Sequence, residues 1–260
     1  MASQEPIVRM EDIHKSFGPV RALQGVSLQL QRREVLGLVG DNGAGKSTLM
    51  KVLSGVYQAD QGQIYLQGQP VRFQSPRDSR TAGIEMVYQD LALAGNLDVT
   101  ANIFLGQEST RKRLGRIFSF LDHQKMAEDA TRLLERLRID IRSVKYHVEN
   151  LSGGQRQAVA IARCMGFSAR VVIMDEPTAA LAVKEVSKVL DLIRGLKQHD
   201  VAVILISHRM QDIFEVCDRI MVLRQGRKVG DLPRSETDMD RVVALITGAQ
   251  EKALPEKEVA

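Results

Sequence analysis

The chain has 260 residues, 26% of them charged and 44% hydrophobic, which excludes a disordered chain and is long enough for a sizeable core. A formal net charge of +4 suits an acidic ligand, a nucleic acid or an anionic membrane surface and selects none of them. Tryptophan is absent and aromatics make up 4%, which argues against stacking platforms for single-stranded nucleic acid.

Residues 1–10 carry neither a basic start nor an apolar stretch, so no secretory signal is expected. Residues 7–10, 26–30 and 62–68 read as short strands joined by turns and predict an antiparallel patch near the first helix. Three apolar runs, 35–39, 171–174 and 201–206, are rich in valine and isoleucine without alternation. That is the pattern of strands buried on both faces of a parallel sheet. None approaches the ~20 residues that span a bilayer, so a soluble, cytoplasmic chain is expected.

From about residue 91 to 169 the pattern is mostly helical, with Met126, Ala130, Leu133, Leu134 and Leu137 on one face. A later helix aligns Val186, Val189, Leu190, Ile193 and Leu196. Cys164 and Cys217 fall in segments that read as helices and share no metal-ligand spacing; two buried thiols in a reducing compartment are expected. Strands alternating with such helices predict an α/β fold: a mainly parallel sheet core, an antiparallel β patch and a helical subdomain at about 91–169. The domain is expected over residues 5–248, followed by a polar tail at 249–260.

The chemistry sits in four segments. Gly40, Asp41, Asn42, Gly43, Ala44, Gly45, Lys46, Ser47 and Thr48 fit the phosphate-binding loop, and they follow the run 35–39 and open a helix. Glycines there let backbone N–H groups converge on a phosphate, and the helix start adds partial positive charge. Lys46 supplies a full charge at the β- and γ-phosphates, and Ser47 a hydroxyl for Mg²⁺. The second segment ends the run 171–174 with Asp175 and Glu176. Alone it would read as an exposed acidic strand end; beside a phosphate loop it assigns Asp175 to Mg²⁺ and Glu176 to the attacking water as general base. His208 follows the third run, again at the carboxyl end of a strand, where open α/β sheets bind ligands. It is placed to hydrogen-bond the γ-phosphate and hold Glu176 and the water in line. His14, His123, His147 and His199 are read as structural or solvated.

The fourth segment, 151–157, holds Ser152, Gly153, Gly154 and Gln155. Ser152 and Gln155 form a capping box at a helix start. Each glycine just inside the helix costs about 1 kcal/mol relative to alanine, so something must require the bare backbone. A serine hydroxyl beside naked N–H groups makes a ready anion site.

Taken together these segments resemble the ABC ATPases: the phosphate loop, the Leu-Ser-Gly-Gly-Gln signature from Leu151, the Asp-Glu-Pro strand end and the later histidine stand in that family's order and spacing. The resemblance covers residues 5–248 and implies a P-loop NTPase fold of ABC type that binds and hydrolyses ATP with Mg²⁺. It implies that Gln89 senses the metal and the partner, and that Phe17 stacks on adenine. It further implies that the signature contacts the γ-phosphate held by a second copy, so that two copies sandwich two ATP molecules. Finer features are similar to the ATPases of monosaccharide importers of the fructose, ribose and xylose type. These are Asn102 to Gly106, Val183 to Glu185 and Ile246 to Gly248. Many of those ATPases fuse two halves in one chain, and with a single half this sequence is similar to the fructose-type subunits. That likeness implies permease subunits as partners, a sugar-binding protein as an indirect one, and a peripheral place on the cytoplasmic face of the membrane. Ala182 departs from the family, most of whose members carry aspartate there, and the departure bears on communication between the two ATP sites.

The alternative of another class is a soluble ABC-type ATPase acting on DNA or chromatin. Those usually carry coiled-coil or zinc-bearing insertions, and neither heptads nor cysteine clusters occur, so no nucleic-acid partner is expected. The basic cluster Arg111, Lys112, Arg113 and Arg116 reads as a solvated loop rather than a lipid or acidic-partner contact.

Overall fold

The structure, a computed structural model, describes residues 5–113, 118–166 and 169–249. In chain order it runs β1 (Val8–Phe17), β2 (Val20–Leu30), β3 (Val35–Val39), α1 (Lys46–Leu53), β4 (Gln61–Leu66), β5 (Gln69–Val71), α2 (Pro76–Thr81) and β6 (Ile84–Val87). Then come α3 (Val99–Phe104), β7 (Thr110–Arg113), β8 (Phe118–Leu121), α4 (His123–Arg136), α5 (Gly153–Gly166) and β9 (Val171–Asp175). The remainder is α6 (Val183–Leu196), β10 (Ala202–Ile206), α7 (Met210–Val216), β11 (Arg219–Arg224), β12 (Arg227–Pro233) and α8 (Met239–Thr247).

The central sheet has the order β12-β11-β3-β10-β9-β6. All its pairs are parallel except β11 with β12. The three apolar runs are its middle strands, and every residue of β3 and β10 is buried. Because side chains alternate across a strand, each run feeds two cores. Val35, Val39, Val172, Met174, Val203 and Leu205 pack toward the helices, together with the predicted face of α6 and that of α4 except Met126, which is buried outside this cluster. Leu36, Leu38, Val171, Ile173, Ile204 and Ile206 pack toward α1 and the second sheet. Full burial of one such side chain is worth about 1.5–3 kcal/mol, so the runs are held from both sides.

That second sheet is antiparallel, in the order β2-β1-β4-β5. Its first two strands are longer than the fragments legible in the sequence. Register shifts after Met10 and at Ile13 break the period-2 alternation, and Asp12 adopts a positive φ of 50° there. The helical stretch also contains an antiparallel hairpin, β7 with β8. Arg111, Lys112 and Arg113 therefore lie on a strand rather than in a loop. Arg116 and residues 250–260 of the tail lie outside the described residues.

Both cysteines are buried, Cys164 within α5 and Cys217 just past α7, and burial raises both thiol pKa values, that of Cys164 to about 12. The four histidines read as solvated are half-buried or exposed. Among the described residues no helix is long and apolar enough to cross a membrane.

Candidate active site

The carboxyl ends of β3, β9 and β10 deliver the site. After Val39 the loop turns through Gly40, where a Cβ would lie 2.2 Å from the Leu223 carbonyl oxygen. It enters α1 at Gly45, whose φ of 102° and 2.8 Å approach to the Ala22 carbonyl likewise demand glycine. Gly45 is the N-cap of α1 and supplies no side-chain cap, so first-turn amides of this helix are left for a ligand.

Lys46 is buried, and its Nζ donates to the carbonyls of Gly40 at 2.7 Å and Asp41 at 3.0 Å. Burial lowers its pKa, while Glu176, Asp175 and Asp41 raise it in turn. The ammonium is thus folded over the loop and partly desolvated, which strengthens its hold on an incoming phosphate. Ala44 is buried, Thr48 half-buried, and Asp41, Asn42, Gly43 and Ser47 are exposed.

Asp175 closes β9 in register with Ile206 of β10. Its pKa is raised by burial, against the pull of Lys46, Lys51 and His208. Glu176 leaves the strand with φ at +53°, a region that non-glycine residues rarely occupy, while its N–H donates to the Ile206 carbonyl at 2.9 Å. Burial also raises the Glu176 carboxyl; the His208 amide and ring and Lys46 lower it, and Asp175 raises it further. His208 Nε2 lies 3.4 Å from Glu176 Oε1, yet that buried oxygen has no hydrogen-bond partner. A buried, unsatisfied carboxylate oxygen at a strand end is placed to take a water or a ligand.

Phe17 ends β1 and is 43% exposed. Tyr57 packs edge-on against it, with centroids 5.1 Å apart and planes at 68°, and Lys15 Nζ lies 5.6 Å from its centroid. Phe17, the loop residues Asn42 to Thr48, Gln89, Asp175, Glu176 and His208 line one cavity of about 550 Å³. Every nucleotide residue expected within one chain is brought there, with Gly40 and Asp41 bound to it through Lys46. Sequence reasoning missed Arg21, Gln24 and Gln225, which also line it, and Tyr57 behind Phe17. The contact of Gln225 with β2 joins residues 201 apart, as in the Gln24 Nε2 donation to the Gln225 carbonyl at 2.9 Å, and leaves no local signal.

The signature lies elsewhere. Ser152 N–H donates to Gln155 Oε1 at 3.1 Å, and Gln155 N–H to Ser152 Oγ at 3.3 Å, forming the expected capping box. The glycines have a packing reason as well. A Cβ on Gly153 would stand 2.9 Å from Leu181, and one on Gly154 would stand 2.9 Å from the Cβ of Glu185. The Glu185 carboxyl is held below its ordinary value by the Ser152 hydroxyl first and the Gly154 amide second. Ser152, Gly154, Gln155 and Glu185 line a separate cavity of about 800 Å³ that includes Leu137 and Leu192. It is the larger of the two, but it contains neither the phosphate loop nor the carboxylate pair.

The profile described as ABC transporter matches residues 23–179. The chain belongs to the ABC transporter family. A xylose/arabinose import ATP-binding protein of Sulfolobus acidocaldarius is 47% identical over 93% of this chain and 94% of its own length. A fructose import ATP-binding protein of Rhizobium meliloti is 44% identical over 96% of each. A ribose import ATP-binding protein of Bacillus subtilis is 40% identical over 94% of the chain, which spans 48% of that relative. Among solved structures, an ABC transporter's ATP-binding cassette in its ADP conformation superposes with a TM-score of 0.79 at 27% identity, over 94% of this chain and 99% of the other. This ABC transporter chain is therefore an ATP-binding and ATP-hydrolysing subunit, and the DNA-acting alternative finds no support among these relatives.

Proposed function

We propose that this subunit energises uptake of a monosaccharide, working at the cytoplasmic face of the membrane with permease subunits and, indirectly, a sugar-binding protein. Its likeness to xylose, fructose and ribose import proteins supports this reading. The working unit is residues 5–248, with 249–260 as an appended tail. Two copies pair, each closing its phosphate loop over ATP against the Ser152–Gln155 helix start of the other.

Within one chain, Phe17 takes the adenine face and the loop amides with Lys46 take the β- and γ-phosphates. Ser47, Asp175 and Gln89 would hold Mg²⁺. Hard oxygen donors with a single carboxylate suit an ion bound together with ATP phosphates rather than by a protein cage. Bound there, the ion supplies positive charge to the phosphates. Glu176 accepts a proton from water as the water oxygen bonds to the γ-phosphorus and the bond to the ADP oxygen breaks. His208 steadies the γ-phosphate and Glu176.

The observation that carries this is the buried, unpartnered Oε1 of Glu176 beside His208 and Lys46. Glu176→Gln keeps the shape and removes the base. ATP binding and ATP-dependent pairing should persist while turnover falls on the order of 10²–10⁴-fold. Retained turnover together with monomers only in gel filtration with MgATP would refute the assignment.

A further inference from the structure

Thr178 and Asp212 are buried polar residues that the mechanism above does not use, with 1% and 2% of their surface exposed. The Thr178 hydroxyl donates to Asp212 Oδ2 at 2.5 Å, and Arg209 Nε lies 3.5 Å from Oδ1. A buried carboxylate is expensive to desolvate, so a chain that keeps one away from its ligand cavity keeps it for a contact. The two residues join segments that carry chemistry. Thr178 stands two residues after Glu176, and Asp212 stands four after His208, in the first turn of α7.

Those segments need holding. Glu176 sits at φ +53°, a conformation that persists only when its surroundings over-determine it. Backbone contacts supply part of that constraint, through Glu176 N–H to Ile206 at 2.9 Å and Ala179 N–H to the Glu176 carbonyl at 3.3 Å. The His208 amide also acts on the Glu176 carboxyl, but its ring Nε2, 3.4 Å from Glu176 Oε1, makes no hydrogen bond to that oxygen, so the ring is not fixed by this contact. We infer that the Thr178–Asp212 hydrogen bond is a clasp that positions Glu176 and His208 for hydrolysis, with neither residue touching ATP. The inference rests on the reading of Glu176 as base.

Thr178→Val removes the hydroxyl at nearly constant shape. Misplacing a catalytic group by about 1 Å costs on the order of 10²-fold, so kcat should fall roughly 10- to 100-fold. Affinity for a fluorescent ATP analogue should stay within about twofold, because the phosphate loop is untouched. Thr178→Ser should restore turnover. In a Glu176→Gln background, Thr178→Val should cost much less of the residual single-turnover rate than it costs in the wild type, since no base is left to position and only the His208 contribution can be lost. If the single variant does not fold, the pair Thr178→Val with Asp212→Leu removes the clasp without stranding a buried charge and should show the same kcat loss. Wild-type turnover in a folded variant lacking the clasp would overturn the proposal. So would equal losses of rate with and without Glu176, which mark a merely structural contact. Normal hydrolysis by Glu176→Gln alone would instead bring down the base reading; a collapse there with an active Thr178→Val protein brings down only the clasp.

Discussion

The cavity at the ends of β3, β9 and β10 and the corner at the start of α5 are built on opposite principles. The first gathers charge in a partly buried space: Lys46 over its loop, Asp175 and Glu176 raised by burial, and one carboxylate oxygen left without a partner. The second is half-exposed, and its helix cap is satisfied within itself. Ser152 and Gln155 cap each other, and the Glu185 carboxylate rests on Ser152 and Gly154. One region has the means for chemistry and an unmet need; the other has hydrogen-bond donors and no chemistry. In a single chain they line different cavities. A composite site made from one of each, across two copies, joins what each lacks.

The largest effect that tests this division comes from mixed dimers. Lys46→Ala removes the charge at the phosphates, and a charge-assisted hydrogen bond of about 1.5–3 kcal/mol corresponds to roughly 10- to 100-fold in binding or turnover. Gly154→Asp drives a side chain against Glu185 and adds negative charge at the helix start. With both changes on one chain and a normal partner, a shared site receives one defect at each of its two copies, and hydrolysis should fail. With the changes on opposite chains, one site carries both defects and the other is whole, so about half the activity should remain. ATPase assays on purified mixed dimers decide the matter: greater activity from the same-chain arrangement refutes the shared site.

A smaller effect separates the two regions by pH. Glu176 has its carboxyl raised above an ordinary 4.5, by burial foremost, whereas Glu185 is lowered by the Ser152 hydroxyl and the Gly154 amide. A base works only when ionised. As pH falls, activity should therefore be lost through the raised Glu176 value, above the usual carboxylate range, while Glu185 is still charged. The acid limb of kcat at saturating MgATP should stand above the ordinary glutamate value. Residual turnover of Glu176→Gln should lack that limb. A limb of the same midpoint in the variant would assign it to another group, with Asp175 first in line because its carboxyl is also raised by burial.

The two regions were unequally legible in the sequence. Within the cavity, Phe17 and Gln89, at the ends of less apolar strands, were reached through the family resemblance alone. The chemical half of the cavity was legible because the phosphate loop, the carboxylate pair and His208 each follow a buried strand, and such strands announce themselves as unbroken apolar runs. Edge strands did not. Glu85 is buried in β6, and a charge in so short a strand hides it. The β11–β12 hairpin turns through Gln225 and Gly226, both at positive φ, without an Asn-Gly or Asp-Gly signal. The capping box was legible, being local. The packing of Leu181 and Glu185 against the two glycines was not, because it joins the start of α5 to residues about thirty positions away. The clasp escaped for the same reason: Thr178 and Asp212 are ordinary residues until the fold closes 34 positions between them.

The smallest expected effect lies where the corner meets the rest of the chain, at Ala182. It is the N-cap of α6, in extended backbone with φ −68° and ψ 153°, and alanine offers that helix no side-chain cap. Its N–H instead donates to Glu185 Oε2 at 3.4 Å, half of a capping box whose other half is missing. Ala182→Asp supplies the missing acceptor for the first-turn amides, and an N-cap replacement of this kind is worth about 0.5–2 kcal/mol. It also places a second carboxylate beside Glu185, which opposes part of that gain. Thermal unfolding should therefore show a small net stabilisation, at the low end of that range. If the residue also relays the state of one ATP site to the other, the slope of the rate-versus-ATP curve should change more than its midpoint. A higher melting temperature with superimposable ATP curves would make position 182 a helix cap and nothing more. A changed slope at unchanged stability would place the coupling between sites in this side chain, independent of how well α6 is held.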